Sequence, residues 1–96
     1  MNQLKKVWTV TAKLQLKAIY QYHRLNSLQS ANLLKSEILQ ATKEIYFVEQ
    51  YQQDEIEPEF RRIFIRNYKI LYFVGNETII IARIFNSNQN PAKQIQ

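Results

Sequence analysis

Residues 60–86 consist of three consecutive runs in which β-branched and aromatic residues predominate. Side chains of this kind suit a pleated, half-buried surface. The runs cover residues 60–66, 68–74 and 78–85. Gly75-Asn76, which contains the only glycine of the chain, separates the second run from the third as a two-residue turn would. The pattern predicts an antiparallel meander of three strands.

The first half of the chain has a helical pattern instead. A short apolar start (Val7, Trp8 and Val10) predicts an edge strand, and Thr9 or Thr11 can cap a helix that runs to about Leu25. The apolar face of this helix contains Ala12, Leu16, Ile19, Tyr20 and His23. After Asn26-Ser27, a second helix that ends near Tyr46 presents Ala31, Leu34, Ile38, Ala41 and Ile45.

Together these elements predict an α+β fold. The link between the helices is only about three residues long, so they should be antiparallel neighbours. Two apolar stripes of this length also need a sheet to cover them. We therefore expect a two-helix hairpin packed on a mainly antiparallel sheet of about four strands. One domain should span residues 1–96, with a polar tail from about residue 87.

The composition excludes several kinds of site and predicts where in the cell the protein is found. The chain has no cysteine, which excludes disulfides and thiolate metal sites, and we expect neither a metal nor a cofactor. The sequence contains no signal peptide pattern and no apolar run long enough to cross a bilayer, so we expect a soluble, cytoplasmic protein without membrane contact. The net charge of +5 is uneven: residues 1–26 carry five cations and no acid, whereas residues 27–59 carry two cations and seven acids.

Five cations lie within the predicted sheet and are the candidate target- or anion-binding residues: Arg61, Arg62, Arg66, Lys69 and Arg83. Cations on a rigid sheet either face an anionic partner or pair with nearby carboxylates. The acidic segment of residues 54–59 could be a solvated loop, or Glu57 or Glu59 could pair with Arg61 or Arg62. Both alternatives are open at this stage.

The ordered set of motifs resembles the RelE/ParE family of toxins from bacterial type II toxin–antitoxin systems. The likeness is carried by Val7-Trp8-Thr9 with Ala12, Leu16, Ile19 and Tyr22, by YQQDEIEPEFRRIFIRNYKILYF, and by IIIARIFNSNQNP. It covers roughly residues 7–93. It implies a toxin that an acidic antitoxin neutralises, and a target that is either DNA gyrase, bound without catalysis, or ribosome-bound mRNA, cleaved without a metal.

For RNA cleavage, Arg61, Arg62, Arg66 and Arg83 could stabilise charge on the phosphate, with Arg83 at the position of the last-strand arginine in RelE-like nucleases. Active relatives tend to have a Tyr or His after that strand, whereas this chain has Asn86, Ser87 and Asn88 followed by Gln89 and Asn90. None of these side chains titrates near neutral pH. The only histidine, His23, falls on an apolar helix face, where we expect it to pack rather than to catalyse.

Gyrase binding needs a surface and no acid or base. The helix hairpin has leucines outside its main apolar stripes, which either contact a partner or lie at the margins of the hairpin: Leu14, Leu28, Leu33 and Leu39. We therefore rank ParE-like gyrase poisoning above mRNA cleavage. The related branch usually has an acid at the position of Asn86 and a base at the position of Asn88, so a third possibility is an attenuated copy that acts mainly through its antitoxin.

Overall fold

The computed structural model describes residues 4–88, which form two helices and one sheet. In chain order the elements are β1 (Lys5–Trp8), α1 (Val10–Arg24), α2 (Leu28–Lys43), a short 3-10 helix (Val48–Gln50), β2 (Arg61–Ile65), β3 (Tyr68–Gly75) and β4 (Thr78–Asn86). Residues 87–88 form a turn after β4. The rest of the polar tail predicted from about residue 87 lies outside the described residues.

The four strands form one sheet in the order β1-β4-β3-β2. β2, β3 and β4 are the predicted antiparallel meander, and β1 pairs in parallel with β4 at the edge. The sequence-based prediction of an α+β fold with a helix hairpin and a mainly antiparallel sheet is therefore confirmed. β1 ends at Trp8, earlier than the apolar start suggested, because the chain turns into α1 at Thr9.

Side-chain caps fix both helix starts. Of the two predicted caps for α1, Thr9 is the one used: its hydroxyl accepts a hydrogen bond from the Ala12 amide at 3.0 Å and donates one to the Ala82 carbonyl at 2.8 Å. Ser27 caps α2 through the Ser30 amide at 3.1 Å. α2 ends at Lys43, before the predicted end near Tyr46. There the Gln50 side chain donates to the Glu44 carbonyl at 2.9 Å and accepts from the Tyr46 amide at 2.8 Å, where helical bonds would otherwise continue.

The core lies between the helix hairpin and the inner face of the sheet, which is the face that the helices cover. Tyr72 is its largest fully buried side chain, and its hydroxyl donates to the Val48 carbonyl at 2.9 Å. Burial raises the pKa of Tyr72 to about 12. Both predicted helix stripes reach this core, together with the isoleucines of the sheet: Ala12, Leu34, Ile38, Ile45, Ile63, Ile70, Ile79, Ile81 and Ile84.

A bulge in β4 changes which side chains face outward. Tyr72 of β3 pairs with Ile81 and Leu71 pairs with Arg83, so Ala82 is an extra residue in β4. Before the bulge the odd-numbered Ile79 and Ile81 enter the core, and after it the even-numbered Ile84 does. Since successive side chains of a strand alternate between faces, the bulge turns Arg83 to the outer face, away from the helices.

The turn between β3 and β4 is displaced by one residue from the prediction. Gly75 is the last residue of β3, pairs with Thr78 and has no positive φ. The two turn residues are Asn76 and Glu77, with φ of 52° and 60°. Positive φ at both central positions is what a two-residue hairpin turn needs in order to match the strand twist, and Asn tolerates it far better than Glu does. The prediction of Gly75-Asn76 as the turn is wrong by one residue, because the pairing of Gly75 with Thr78 places Glu77, and not Gly75, at a positive φ.

This turn gives a test. Glu77→Gly should raise the free energy of unfolding by about 1 kcal/mol, because it relieves a left-handed conformation that costs a non-glycine residue energy. Gly75→Ala should not lower it, since the added Cβ would lie at ordinary contact distance, 3.5 Å from Ile80 Cδ1. Chemical denaturation measures both effects. A destabilising Gly75→Ala together with a neutral Glu77→Gly would place the turn at Gly75-Asn76 instead.

Candidate functional site

The five candidate cations lie in three places around the sheet. Arg62, Lys69 and Arg83 are on the outer face, where Lys69 of β3 is opposite Phe64 of β2 and Phe85 of β4. Arg61 alternates with the buried Ile63 and is therefore on the inner side, at the start of β2. Arg66 is the first of the two turn residues between β2 and β3, with φ of 54°. The sheet does not bring all five cations to one surface.

Lys69 is buried in an ion pair and does not face an external anion. Its Nζ lies 2.7 Å from Asp54 Oδ1, and the two residues are only 8% and 2% exposed. The other carboxylate oxygen of Asp54 accepts hydrogen bonds from the amides of Ile56 at 3.2 Å and Glu57 at 2.9 Å. Removing two charges from water is costly, and only a satisfied arrangement of this kind makes it tolerable. The placement differs from that expected of an anion-binding lysine.

Arg83 is also bound within the chain. Its guanidinium pairs with Glu57, and its side chain lies between two aromatic rings, 5.6 Å from the centroid of Phe60 and 5.7 Å from that of Phe85. Asp54 and Glu57 belong to the acidic segment, so their pairs with Lys69 and Arg83 draw that segment across the outer face. Leu71, on the same face between Lys69 and Phe73, has no exposed surface.

Arg61 and Arg62 contact the chain at the start of the acidic segment and just before it. Gln53 forms a bridge with Arg61, the Arg61 guanidinium donates to the Tyr51 carbonyl at 2.8 Å, and Arg62 lies 3.7 Å from Glu55. The prediction was that Glu57 or Glu59 would pair with Arg61 or Arg62. The acidic segment does pair with Arg62, but through Glu55, and Glu57 pairs with Arg83. The turn that Asp54 stabilises carries the chain across the sheet, so that Glu57 reaches β4 and not β2.

Arg66 joins the β2–β3 turn to α2. Its Nε and Nη2 atoms lie 3.0 and 2.7 Å from the two carboxylate oxygens of Glu37, in a bidentate pair at the surface. This hydrogen bond and the charge of Glu37 raise the pKa of Arg66 above its usual value. Arg66 is the most exposed of the paired arginines, so its Nη1 group is accessible to an additional ligand.

Three exposed cations on α1 have no such partner in the part of the chain that the structure describes. Lys13, Lys17 and Arg24 are exposed, and none of them pairs with a carboxylate among residues 4–88. The sequence contained the signal for this surface, since residues 1–26 have five cations and no acid. On the sheet, by contrast, residues 54–57 supply carboxylates to Arg62, Lys69 and Arg83.

The remaining expectations concern His23, the amide side chains at and after the end of β4, and contact with a metal or a membrane. His23 is half-buried and its Nε2 lies 2.8 Å from the Tyr68 hydroxyl, in agreement with a packing role. Asn86 accepts a hydrogen bond from the Asn88 amide, and Gln89 and Asn90 lie outside the described residues. Within residues 4–88, no cluster of His, Asp and Glu could hold a metal ion, and neither helix has the length and apolarity to cross a membrane.

The buried pair gives a prediction about stability. Asp54→Asn should lower the free energy of unfolding by about 3–5 kcal/mol, because it leaves the Lys69 charge buried without its counter-ion. Adding Lys69→Met should restore a large part of the loss. Glu37→Gln, which breaks the exposed pair with Arg66, should cost less than about 1 kcal/mol. Equal effects of Asp54→Asn and Glu37→Gln in urea denaturation would show that the Asp54–Lys69 pair does not hold the segment in place.

The fold is similar to those of several solved structures. The structure is similar to one described as the chromosomal ParDE toxin–antitoxin system from P. aeruginosa, with a TM-score of 0.77, 20% identity, and coverage of 88% of this chain and 96% of that one. It also matches the solution structure of a conserved hypothetical protein from Helicobacter pylori, with a TM-score of 0.55, 18% identity, and coverage of 91% and 98%.

A RelB–RelE antitoxin–toxin complex from Methanococcus jannaschii aligns with a TM-score of 0.48, at 20% identity and 93% coverage of both chains. Comparison with curated proteins gives no match. The family model for the ParE toxin of the type II toxin–antitoxin system parDE matches residues 7–91. The resemblance noted in the sequence is thus confirmed over nearly the whole chain, which belongs to the ParE family of type II toxins.

Proposed function

We propose that this ParE-family toxin stops bacterial growth by binding DNA gyrase and poisoning it, without catalysis of its own. The observation that carries the proposal is the contrast between the two surfaces of the molecule. The five candidate cations all have partners within the chain, whereas the helix hairpin exposes apolar side chains and cations that have no carboxylate partner within residues 4–88. Such a surface suits a protein target better than it suits phosphate chemistry.

The hairpin exposes several large apolar side chains, which we propose contact the target. Leu14, Leu28 and Leu33 are each more than half exposed, and Leu39 is half-buried. On α1, Leu14 lies next to Lys13, and Val10 and Lys17 lie one turn away on either side. An apolar stripe beside a basic one fits a partner that offers apolar and acidic residues.

RNA cleavage finds less support in the geometry. The reaction needs a base, an acid and free positive charge near the phosphate. Arg83 is paired with Glu57 between two aromatic rings, and the side chains of residues 86–88 beyond it do not titrate near neutral pH. A phosphate could reach Arg83 only after the acidic segment had moved away from the outer face.

The proposed partner in the resting cell is an antitoxin with an acidic, partly apolar segment, in the same cytoplasm. The similar structures from P. aeruginosa and M. jannaschii are described as a toxin–antitoxin system and an antitoxin–toxin complex. A disordered acidic segment that folds on binding could cover a large part of the hairpin surface. It would silence the toxin by occupying the surface that the target needs.

Purified gyrase tests the proposal. Addition of the toxin should inhibit supercoiling or stabilise cleaved DNA, and Leu14→Glu with Leu33→Glu should weaken this inhibition at least tenfold, because charges would enter the apolar contact. Thermal stability should stay nearly unchanged, since both positions are exposed. Val74→Glu, which changes an exposed apolar residue of the sheet, is the matched control and should inhibit like the unmodified toxin.

Primer extension on ribosome-bound mRNA tests the alternative target. New A-site cuts that Arg83→Ala abolishes, together with unimpaired gyrase, would replace the gyrase proposal with mRNA cleavage. If expression without an antitoxin leaves growth unaffected and neither assay responds, the chain is an attenuated copy, as the neutral residues Asn86 and Asn88 allow.

A further inference from the structure

A concave site of about 340 Å³ lies where the end of α1 meets the β2–β3 turn and the end of β4. We call it the aromatic–amide pocket, and its main walls are Tyr22, His23, Asn67, Tyr68 and Asn86. Its volume is in the range of small-molecule sites. None of these side chains belongs to the acidic segment of residues 54–59 or is part of the contact proposed for gyrase.

Three rings in the pocket form a fixed aromatic wall. Tyr22 meets His23 edge to face at 5.3 Å between ring centroids, and His23 meets Tyr68 at 5.9 Å. The hydrogen bond of 2.8 Å between His23 Nε2 and the Tyr68 hydroxyl fixes the inner two rings. Burial, followed by the neighbouring Tyr22, raises the pKa of Tyr68, so its hydroxyl keeps its proton at neutral pH. Tyr22 itself is 64% exposed and offers a ring for stacking.

Two amide side chains stand beside the rings with hydrogen-bonding groups available. Asn86 uses its Oδ1 to accept from the Asn88 amide at 2.8 Å, which leaves its Nδ2 group as a donor. The side-chain amide of Asn67 has no partner within residues 4–88, although its backbone carbonyl accepts from Ser87. Amides provide a donor and an acceptor at fixed spacing, which is the pattern that the edge of a nucleobase presents.

A cation completes the pocket. Arg66 lines the pocket, and its Nε and Nη2 groups donate hydrogen bonds to Glu37. Its Nη1 group therefore remains able to donate to an oxygen anion. The lining residues include no carboxylate, and Glu37 is already engaged by Arg66. Stacking rings, amides and a guanidinium are the groups that bind the base and the phosphate of a nucleotide.

We propose that the aromatic–amide pocket binds a nucleobase with its attached phosphate, in a free nucleotide or in single-stranded RNA. The base stacks on Tyr22, its edge bonds to Asn67 and Asn86, and the phosphate meets Arg66 Nη1. This site goes beyond the proposed function and does not depend on gyrase as the target.

Titration of the 96-residue chain with AMP, GMP, CMP and UMP, followed by two-dimensional amide NMR, tests the site. At least one nucleotide should shift the signals of residues 22, 67 and 86 with saturation, whereas ribose 5-phosphate should not. Tyr22→Ala should weaken binding roughly 5- to 150-fold, the range of base stacking on an aromatic ring. Tyr46→Ala removes an exposed tyrosine that does not line the pocket and should leave the affinity unchanged.

Asn86→Asp is a second variant, because it keeps the oxygen that accepts from Asn88 but replaces the amide donor with a charge. It should also weaken binding, with an unchanged melting temperature. A short single-stranded RNA that binds at least tenfold tighter than the mononucleotides would identify the ligand as RNA, and equal affinity would identify it as a free nucleotide. Absence of saturable shifts at millimolar nucleotide, equal binding of ribose 5-phosphate, or equal effects of Tyr22→Ala and Tyr46→Ala would overturn the proposal.

Discussion

The arrangement of the outer face of the sheet depends on the buried ion pair between Asp54 and Lys69. A lysine at the second position of β3, one of the two central strands, would be costly to bury without a counter-ion. Asp54 supplies that charge and, through its second oxygen, also bonds the amides of Ile56 and Glu57. The Asp54 carboxylate therefore neutralises Lys69 and also holds the turn of the acidic segment that lies across the sheet. The pairing of Glu57 with Arg83 follows from that path.

The bulge at Ala82 is the second feature on which this arrangement depends. It turns Arg83 outward while Ile84 returns to the core, so the arginine is brought to the face that Glu57 approaches. Without the extra residue, the alternation of side chains would direct Arg83 into the core beneath the helices. A single inserted position thus determines whether the last-strand arginine faces outward or inward.

With Lys69 and Arg83 paired on the outer face of the sheet, α1 still carries exposed cations that have no carboxylate partner within residues 4–88, and one of them, Lys13, lies beside the exposed Leu14. The two surfaces differ in chemistry: carboxylates of residues 54–57 pair with cations on the outer face of the sheet, whereas the hairpin exposes leucines beside cations. The aromatic–amide pocket lies between these faces, at the junction of α1 with the sheet, and its chemistry is of a different kind from both.

The sequence by itself determined the elements and the family. Helical spacing in residues 12–45 and the β-branched runs after residue 60 specified two helices and a meander, because local periodicity decides which side chains can share a buried face. Most of the site required the tertiary structure. The partners of Lys69 and Arg83 lie 15 and 26 residues away along the chain, and no local pattern predicts which of several acids in one segment will reach a given cation. The one-residue displacement of the turn at Asn76-Glu77 and the bulge at Ala82 have the same origin, since strand register is fixed by packing across the whole sheet and not by the residues of one strand.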